Sequence, residues 1–183
     1  MRSSNALRAA LFAIAAAGLS PMASAYPMVG GAAMLPTKDI IDNAVNSADH
    51  TTLVAAVKAA GLVDTLKGKG PFTVFAPTNA AFAKLPAGTV ENLLKPENKA
   101  TLTAVLTYHV LAGRYSAADI VKAIKAGGGK AEFTTVQGEK LTASMMGNLV
   151  MLRDAKGGMS HVRQADVFQS NGVIHVVDTV VLP

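Results

Sequence analysis

Histidine is the reactive residue type that stands out in this sequence. Cysteine is absent, and no serine lies in a Gly-x-Ser-x-Gly nucleophile elbow. No two histidines have the His-x-x-x-His or His-Glu-x-x-His spacing of a metal site; the four are His50, His109, His161 and His175. The glycine run before Lys130 is followed by Ala131 rather than Ser or Thr, so it lacks the pattern of a phosphate-binding loop. The sequence therefore predicts no catalytic residue, no metal site and no cofactor.

His175 and Asp178 lie three residues apart in the apolar segment "GVIHVVDTVVL". The β-branched residues around them predict a strand, in which an odd spacing directs two side chains to opposite faces. The two residues then cannot share a metal ion. Asn171 and Gly172 form a turn dipeptide at the start of this strand. We interpret Asn171, His175 and Asp178 as structural residues that fasten neighbouring segments by hydrogen bonds.

A second histidine is predicted to lie in the core. Leu102, Val105, Leu106 and His109 recur at the spacing of one helix face, within a helix expected from about Asn98 to Leu111. A buried imidazole needs partners for both ring nitrogens, so we expect a satisfied core histidine. Tyr108 points to another side of this helix, and its hydroxyl is expected to reach a backbone group.

The order of the elements predicts an α+β domain. Helical patterns fill the first half, beginning with a helix capped by Thr37, and are interrupted by a short strand at 72–77. Ser116 and Asp119 form a capping box that opens a helix ending at the glycines 127–129. Short β-rich segments separated by Gly and Asn follow from Lys130 onward.

The N-terminus has the pattern of a secretory signal peptide. Arg2 and Arg8 precede an apolar run at 9–19 that is too short to span a bilayer, and a small-residue cleavage pattern ends at Ala25. We interpret 1–25 as the signal peptide, with a retained signal anchor as the alternative. Residues 26–36 contain Gly and Pro without periodicity and predict a flexible leader. No transmembrane segment is expected in the mature chain.

Composition excludes some classes of partner. Without Arg2 and Arg8, the chain has 15 of its 17 basic residues and 12 acidic residues, which gives a net charge of +3. The lysines are scattered and tryptophan is absent, so no platform for base stacking exists and nucleic-acid binding is not expected. The signal pattern predicts a periplasmic or secreted protein.

Three motifs together resemble the fasciclin domain family, namely "GPFTVFAPTNAAF" at 70–82, "TYHVLAGRYSAADI" at 107–120 and "SNGVIHVVDTVVLP" at 170–183. They occur in the order and spacing of that family, and the resemblance extends from Asp39 to Pro183. It is strongest to the single-domain secreted bacterial members. We therefore expect a fasciclin domain at 37–183, with a helical layer packed on a β-wedge or sandwich.

The resemblance also implies a role in cell adhesion or surface attachment. The family's Tyr-His interaction motif corresponds to Tyr108 and His109. Its Asp-Ile motif corresponds to Asp166 and Val167, with Val in place of Ile. Asp166 is expected to be exposed, because it precedes the turn at Asn171.

The leading hypothesis is a non-enzymatic, exported adhesion or surface-interaction module. Its partner would be a cell-surface or matrix protein or a polysaccharide. The alternative is a periplasmic protein that binds a small ligand or a polysaccharide, for which four methionines of the β-rich half could line an apolar pocket. These are Met145, Met146, Met151 and Met159. A Ser-His-Asp set assembled from separated positions keeps a hydrolase as a third, disfavoured hypothesis.

Overall fold

A computed structural model of the protein describes residues 26–183, and the proposed signal peptide with its cleavage site at Ala25 lies outside the described residues. The helices are α1 (Ile40–Ala44), α2 (Thr51–Ala60), α3 (Val63–Lys67), α4 (Asn79–Ala83), α5 (Thr89–Leu93), α6 (Lys99–Tyr108) and α7 (Ala117–Ala126). The strands are β1 (Met28–Val29), β2 (Ala32–Ala33), β3 (Phe72–Pro77), β4 (Val110–Ala112), β5 (Lys130–Thr134), β6 (Lys140–Met146), β7 (Leu149–Arg153), β8 (Met159–Gln169) and β9 (Gly172–Val177).

The segment expected to be a flexible leader is part of the fold. Strands β1 and β2 pair as a short antiparallel hairpin, and Val29 and Met34 are buried in the same core as the first helices. The turn between the strands uses Gly30 and Gly31, both at positive φ. The prediction of a flexible leader at 26–36 was wrong, because the packing depends on a few apolar side chains, Val29 and Met34 with Ala32 at the margin, and so few residues show no periodicity.

Local sequence signals place most of the helices. Ser116 and Asp119 form the predicted capping box at the start of α7. Helix α1 is capped by Asp39 rather than Thr37. Helix α6 ends at Tyr108, three residues before the predicted end, because the chain from Val110 onward pairs with β3. No helix within residues 26–183 has the length and hydropathy of a membrane span.

The main sheet has seven strands in the order β4-β3-β9-β8-β7-β6-β5. Strand β3 from the first half pairs in parallel with the final strand β9, and the other neighbours are antiparallel. All six residues of β9 are buried, as expected for a strand covered on both faces. The last strand is therefore the centre of the domain.

The sheet forms a wedge, and strand β8 connects its two halves. Its beginning, Met159–His161, pairs with β7, and the remainder from Val162 to Gln169 pairs with β9, with two register irregularities between Val162 and Val167. One core lies between the helical layer and one face of β3 and β9. The other core lies between the opposite face of these strands, α7 and the inward side chains of β5–β7. The predicted α+β class with a helical layer on a β-wedge is confirmed.

Candidate functional site

His175 is fully buried in the centre of β9, with both ring nitrogens in hydrogen bonds. Nδ1 accepts from the backbone N–H of Asp166 (3.3 Å), so Nε2 carries the proton and donates to the carbonyl of Tyr115 (2.7 Å). The ring stacks on Phe75 with 5.7 Å between centroids. Burial lowers the pKa of His175, and the hydrogen bond to the Tyr115 carbonyl opposes this effect. The imidazole is neutral and has no nitrogen left for a metal or a substrate.

Asp166 lies at the irregularity of β8 and not in an exposed loop. It is the one non-glycine residue among 26–183 with a positive φ, at 58°, a conformation that aspartate tolerates better than most residues. Its Oδ1 accepts a hydrogen bond from the backbone N–H of Ala117 (2.7 Å), the first residue of α7. The carboxylate is half-buried, so the expectation of an exposed Asp166 was wrong. The local backbone directs this side chain onto the start of α7.

Tyr108 and His109, the first interaction motif implied by the resemblance, are buried where α6 ends. His109 Nδ1 donates to the carbonyl of Val105 (2.8 Å), and Nε2 accepts from the backbone N–H of Val181 (3.1 Å). Burial lowers the pKa of His109 to about 4, although the Val105 carbonyl acts in the opposite direction. The Tyr108 hydroxyl donates to the carbonyl of Lys140 (2.9 Å) and accepts from the N–H of Ala155 (3.1 Å).

The second motif is also partly inaccessible, because its residue Val167 is fully buried in the core next to the helical layer. Three of the four motif side chains therefore cannot contact a partner without local opening of the domain. The structure brings Asp166 and Val167 close to His175 through β8–β9 pairing. Tyr108 and His109 form their hydrogen bonds with other segments of the chain, so the four motif residues do not form one surface.

Asn171 joins three segments through its side-chain amide. Its Oδ1 accepts from the backbone N–H of Ile40 (3.0 Å), and its Nδ2 donates to the carbonyls of Leu66 (2.6 Å) and Gly68 (2.9 Å). The residue is buried. One side chain thus holds the start of α1 and the end of α3 against the turn before β9.

Asp178 follows β9 and has no contact with His175 among its hydrogen bonds and salt bridges. Its carboxylate accepts from the backbone N–H of His161 (2.9 Å) and from Arg163 (2.7 and 2.8 Å). Partial burial by itself opposes ionisation, but these hydrogen bonds together lower the pKa of Asp178 to about 2. Asp178 binds the neighbouring strand β8 and stays ionised. Within residues 26–183 no three His, Asp or Glu side chains are placed to hold a metal ion.

The outward side chains of β5–β8, which we call the outer sheet face, form a surface that the sequence analysis did not identify. Cross-strand pairing aligns them in rows. One row consists of Lys130, Ser144, Met151 and His161. The next row consists of Glu132, Thr142, Arg153 and Met159. Most of these residues line a depression on the sheet.

The sequence signal for this surface was the alternation of polar and apolar residues in β5–β7. Met146 and Met159 are 51% and 55% exposed, so these two residues do not line an apolar pocket. Met145 packs at the margin of the core beneath the sheet, and Met151 lies in the outer sheet face. The hypothesis that four methionines enclose a pocket was therefore wrong.

Comparison with known proteins identifies the family. The family model of the fasciclin domain matches residues 48–183 of this chain. The chain belongs to the fasciclin domain family. Among bacterial relatives, protein sll1483 of Synechocystis is 47% identical over 85% of this chain and 79% of its own length. The immunogenic protein MPB70 of Mycobacterium bovis is 35% identical over 100% of this chain and 99% of its own length.

Other matches are to longer chains. The pig transforming growth factor-beta-induced protein ig-h3 is 34% identical over 81% of this chain, which corresponds to 20% of that protein. A solved structure of a FAS1 domain pair, from the insect cell adhesion molecule fasciclin I, superposes with a TM-score of 0.71 at 18% identity. The match covers 81% of this chain and 52% of the insect fragment. It shows that the fold is that of a fasciclin domain.

Proposed function

We propose that this protein is an exported, non-enzymatic surface-interaction module whose contact surface is the outer sheet face. The observation that carries the proposal is the combination of exposed cations, hydroxyls and thioethers in two cross-strand rows. The motif residues implied by the resemblance have the opposite character, because three of the four are buried. Their role in this chain is to hold the domain together.

The charges of the outer sheet face favour an acidic partner. Lys140 is neutralised by Glu132 at 2.7 Å. Among the described residues 26–183, Lys130 and Arg153 form no salt bridge, although both are exposed. Two cations without a salt bridge therefore stand on either side of the hydroxyls of Thr142 and Ser144.

A polysaccharide that carries carboxylates suits these side chains better than a neutral one. Cations pair with the carboxylates, and the strand hydroxyls exchange hydrogen bonds with the sugar hydroxyls. The exposed methionines supply apolar contact for the sugar rings. A cell-surface or matrix protein with an acidic patch is the other class of partner that the same charges permit. The name of the insect structure, a cell adhesion molecule, and that of the relative MPB83, a cell surface glycolipoprotein, agree with attachment to surfaces.

Direct binding tests the proposal. The purified protein is applied to immobilised alginate, a polyuronate, and to dextran, a neutral glucan. We expect retention on alginate alone, and we expect retention to fall steeply as salt rises from 0.05 M to 0.5 M, because exposed charges are screened. Equal retention on both polymers, or on neither, contradicts an acidic polysaccharide as the partner. An immobilised acidic matrix protein is tested in the same way, and retention on it alone would indicate that the partner is a protein with an acidic patch.

A matched pair of double variants locates the contact surface. Lys130→Gln with Arg153→Gln removes two positive charges from the outer sheet face, and Lys58→Gln with Lys125→Gln removes two from exposed helix positions. Because both variants lose the same net charge, a general electrostatic effect changes them equally. We expect about a tenfold loss of binding for the first variant and little change for the second. Equal losses would show that the outer sheet face is not the contact surface.

Export and the lack of enzymatic activity are further parts of the proposal. The signal pattern at 1–25 supports export, and intact mass of the exported protein is expected to show Tyr26 as the first residue. A product that retains Met1 in the cytoplasm would contradict export. The engagement of His109 and His175 with backbone groups supports a non-enzymatic role.

A further inference from the structure

An apolar cavity lies in the core between the helical layer and the sheet. Its volume is ≈ 50 Å³, counted as the space open to the centres of water molecules. The surface that faces this space is almost entirely apolar. Protein interiors are close-packed and seldom contain voids larger than a water molecule, so this space is a candidate binding site. Within residues 26–183 its wall shares no residue with the two rows of the outer sheet face, so the two sites are separate.

The floor of the cavity is one row of side chains that crosses four strands of the sheet. Val110 on β4 pairs with Val74 on β3, which pairs with Ile174 on β9. Ile174 pairs in turn with Val167 on β8. Paired residues of adjacent strands point to the same face, and all four side chains line the cavity and are at most 5% exposed. Three spacings between neighbouring strands make this row about 14 Å long.

One end of the row reaches solvent at Val136. Its backbone N–H donates to the carbonyl of Val110 (2.8 Å), which places Val136 next to the β4 end of the row. Among residues 26–183, Val136 is the one exposed large apolar side chain in the wall, at 44%. At the opposite end the hairpin residue Val29 belongs to the wall, and Gln164 of β8 donates to the carbonyl of Met28 beside it (3.1 Å). The cavity therefore has its entrance at Val136 and ends under the hairpin.

Volume and length together determine the width of the cavity. A space of ≈ 50 Å³ that extends over about 14 Å has a cross-section of roughly 4 Å² for the centres of water molecules. Such a space is as wide as a single methylene chain. A buried water needs two to four polar partners, which an apolar surface does not offer. We propose that the cavity binds the unbranched alkyl chain of a small amphiphile, of roughly ten carbons, with the polar end of the molecule at Val136.

The alkyl chain provides the affinity, and the polar end determines the orientation. Each methylene group that leaves water for apolar surroundings raises the affinity roughly fourfold. A polar head group inside the cavity would lose its hydration without gaining a hydrogen bond, which is unfavourable. The head group therefore stays in water at the entrance, while the chain lies along the row of paired side chains.

A homologous series of 1-alkanols tests the length of the site. These compounds are uncharged, so the positive net charge of the protein does not attract them. Affinities for 1-pentanol to 1-dodecanol are measured by NMR titration of the protein. We expect the affinity to rise roughly fourfold per methylene up to about ten carbons and then to level off, because further carbons remain in water. Absence of binding up to the solubility limit, or a rise that continues through 1-dodecanol, overturns the proposal.

The isomer 5-decanol tests the orientation. It has the same ten carbons and one hydroxyl as 1-decanol, but its hydroxyl lies in the middle of the chain. Either this hydroxyl is buried in the apolar cavity or half of the chain stays outside. We expect 1-decanol to bind at least about tenfold more tightly than 5-decanol. Similar affinities of the two isomers overturn the proposal.

A matched pair of variants tests the location. Val74→Leu adds a methylene group at the centre of the row, and Val150→Leu makes the same change in the other core. We expect the first variant to bind 1-decanol about tenfold more weakly and the second to bind as the wild type does. Unchanged affinity in folded Val74→Leu overturns the proposal.

If Val74→Leu does not fold, methyl resonances of the wild-type protein decide the location. Those of Val74, Ile174 and Val167 are expected to shift on addition of 1-decanol, and those of Val150 are expected to stay in place. Shifts confined to side chains outside the row overturn the proposal.

Discussion

His109 accepts a hydrogen bond from the backbone N–H of Val181 at 3.1 Å, across 72 positions of sequence. Its other nitrogen donates to the carbonyl of Val105 within its own helix. The ring thus attaches the end of α6 to the C-terminal segment that follows β9. In this chain the histidine of the Tyr-His motif connects two segments of the core and is not presented to a partner.

Replacement of His109 by alanine is expected to destabilise the domain. The change leaves a cavity and an unsatisfied Val181 N–H, at a cost of about 1–3 kcal/mol or more. Because about 1 kcal/mol shifts the melting midpoint of a domain of this size by roughly 2–4 °C, a loss of several degrees is expected by thermal unfolding. Lys95→Ala, at an exposed position, is the control and should melt as the wild type. Wild-type melting of His109→Ala would rule out the structural role.

Stability is expected to fall as the solution is acidified below pH 6.5. The pKa of His109 is about 4 in the folded protein and near 6.5 in the unfolded chain. Between these values the unfolded chain binds more protons, so the stabilisation is complete above pH 6.5 and is lost as the pH falls through 4. The loss from His109 is about 3 kcal/mol at the acid limit. The pKa values of His50 and His175 are also lowered and act in the same direction.

Urea unfolding at a series of pH values measures this effect. A free energy of unfolding that is flat from pH 7 to pH 4.5 would contradict the burial of neutral histidines. In a folded His109→Gln variant, the slope of stability against pH over this range should be reduced, because the group that takes up the proton on unfolding is absent.

Asp166→Ala is expected to be destabilising, whereas the exposed position predicted from sequence would have tolerated it. Alanine loses the hydrogen bond to Ala117 N, and it adopts the positive φ of 58° less readily. Each effect is about 1 kcal/mol, so a total near 2 kcal/mol is expected by urea unfolding. Asp166→Asn is the matched control, because asparagine tolerates this φ and its amide oxygen can accept the same bond. Equal stability of the two variants would contradict this explanation.

Asp178 and Arg163 form a salt bridge whose two partners are expected to contribute unequally. Arg163→Ala removes an exposed cation and should cost less than about 1 kcal/mol. Asp178→Ala also removes the acceptor of the His161 N–H and should cost more. Unfolding free energies of the two single variants and of the double variant test this order. A larger loss for Arg163→Ala would show that the salt bridge, and not the backbone contact, dominates.

Elements whose signals are local could be predicted from the amino-acid sequence. The capping box of Ser116 and Asp119 involves residues three positions apart, and it marks the start of α7 correctly. The apolar run of β9 likewise predicts a buried strand from neighbouring residues alone. The order of helical and β-rich segments predicted the α+β class, which the match to the solved FAS1 domain pair confirms, and the three motifs predicted the family, which the family model confirms.

Which polar side chains reach solvent depends on contacts between segments that are remote in sequence. Asp166 is held inward because β8 changes register beside β9 and brings its carboxylate to α7. The hairpin at 28–33 belongs to the core because the first helices leave space for Val29 and Met34. The apolar cavity between the helical layer and the sheet exists because side chains such as Val57, Val74 and Ile174, from elements remote in sequence, do not fill the volume they enclose. Such a volume depends on distances between elements remote in sequence, and no local pattern of residues encodes it.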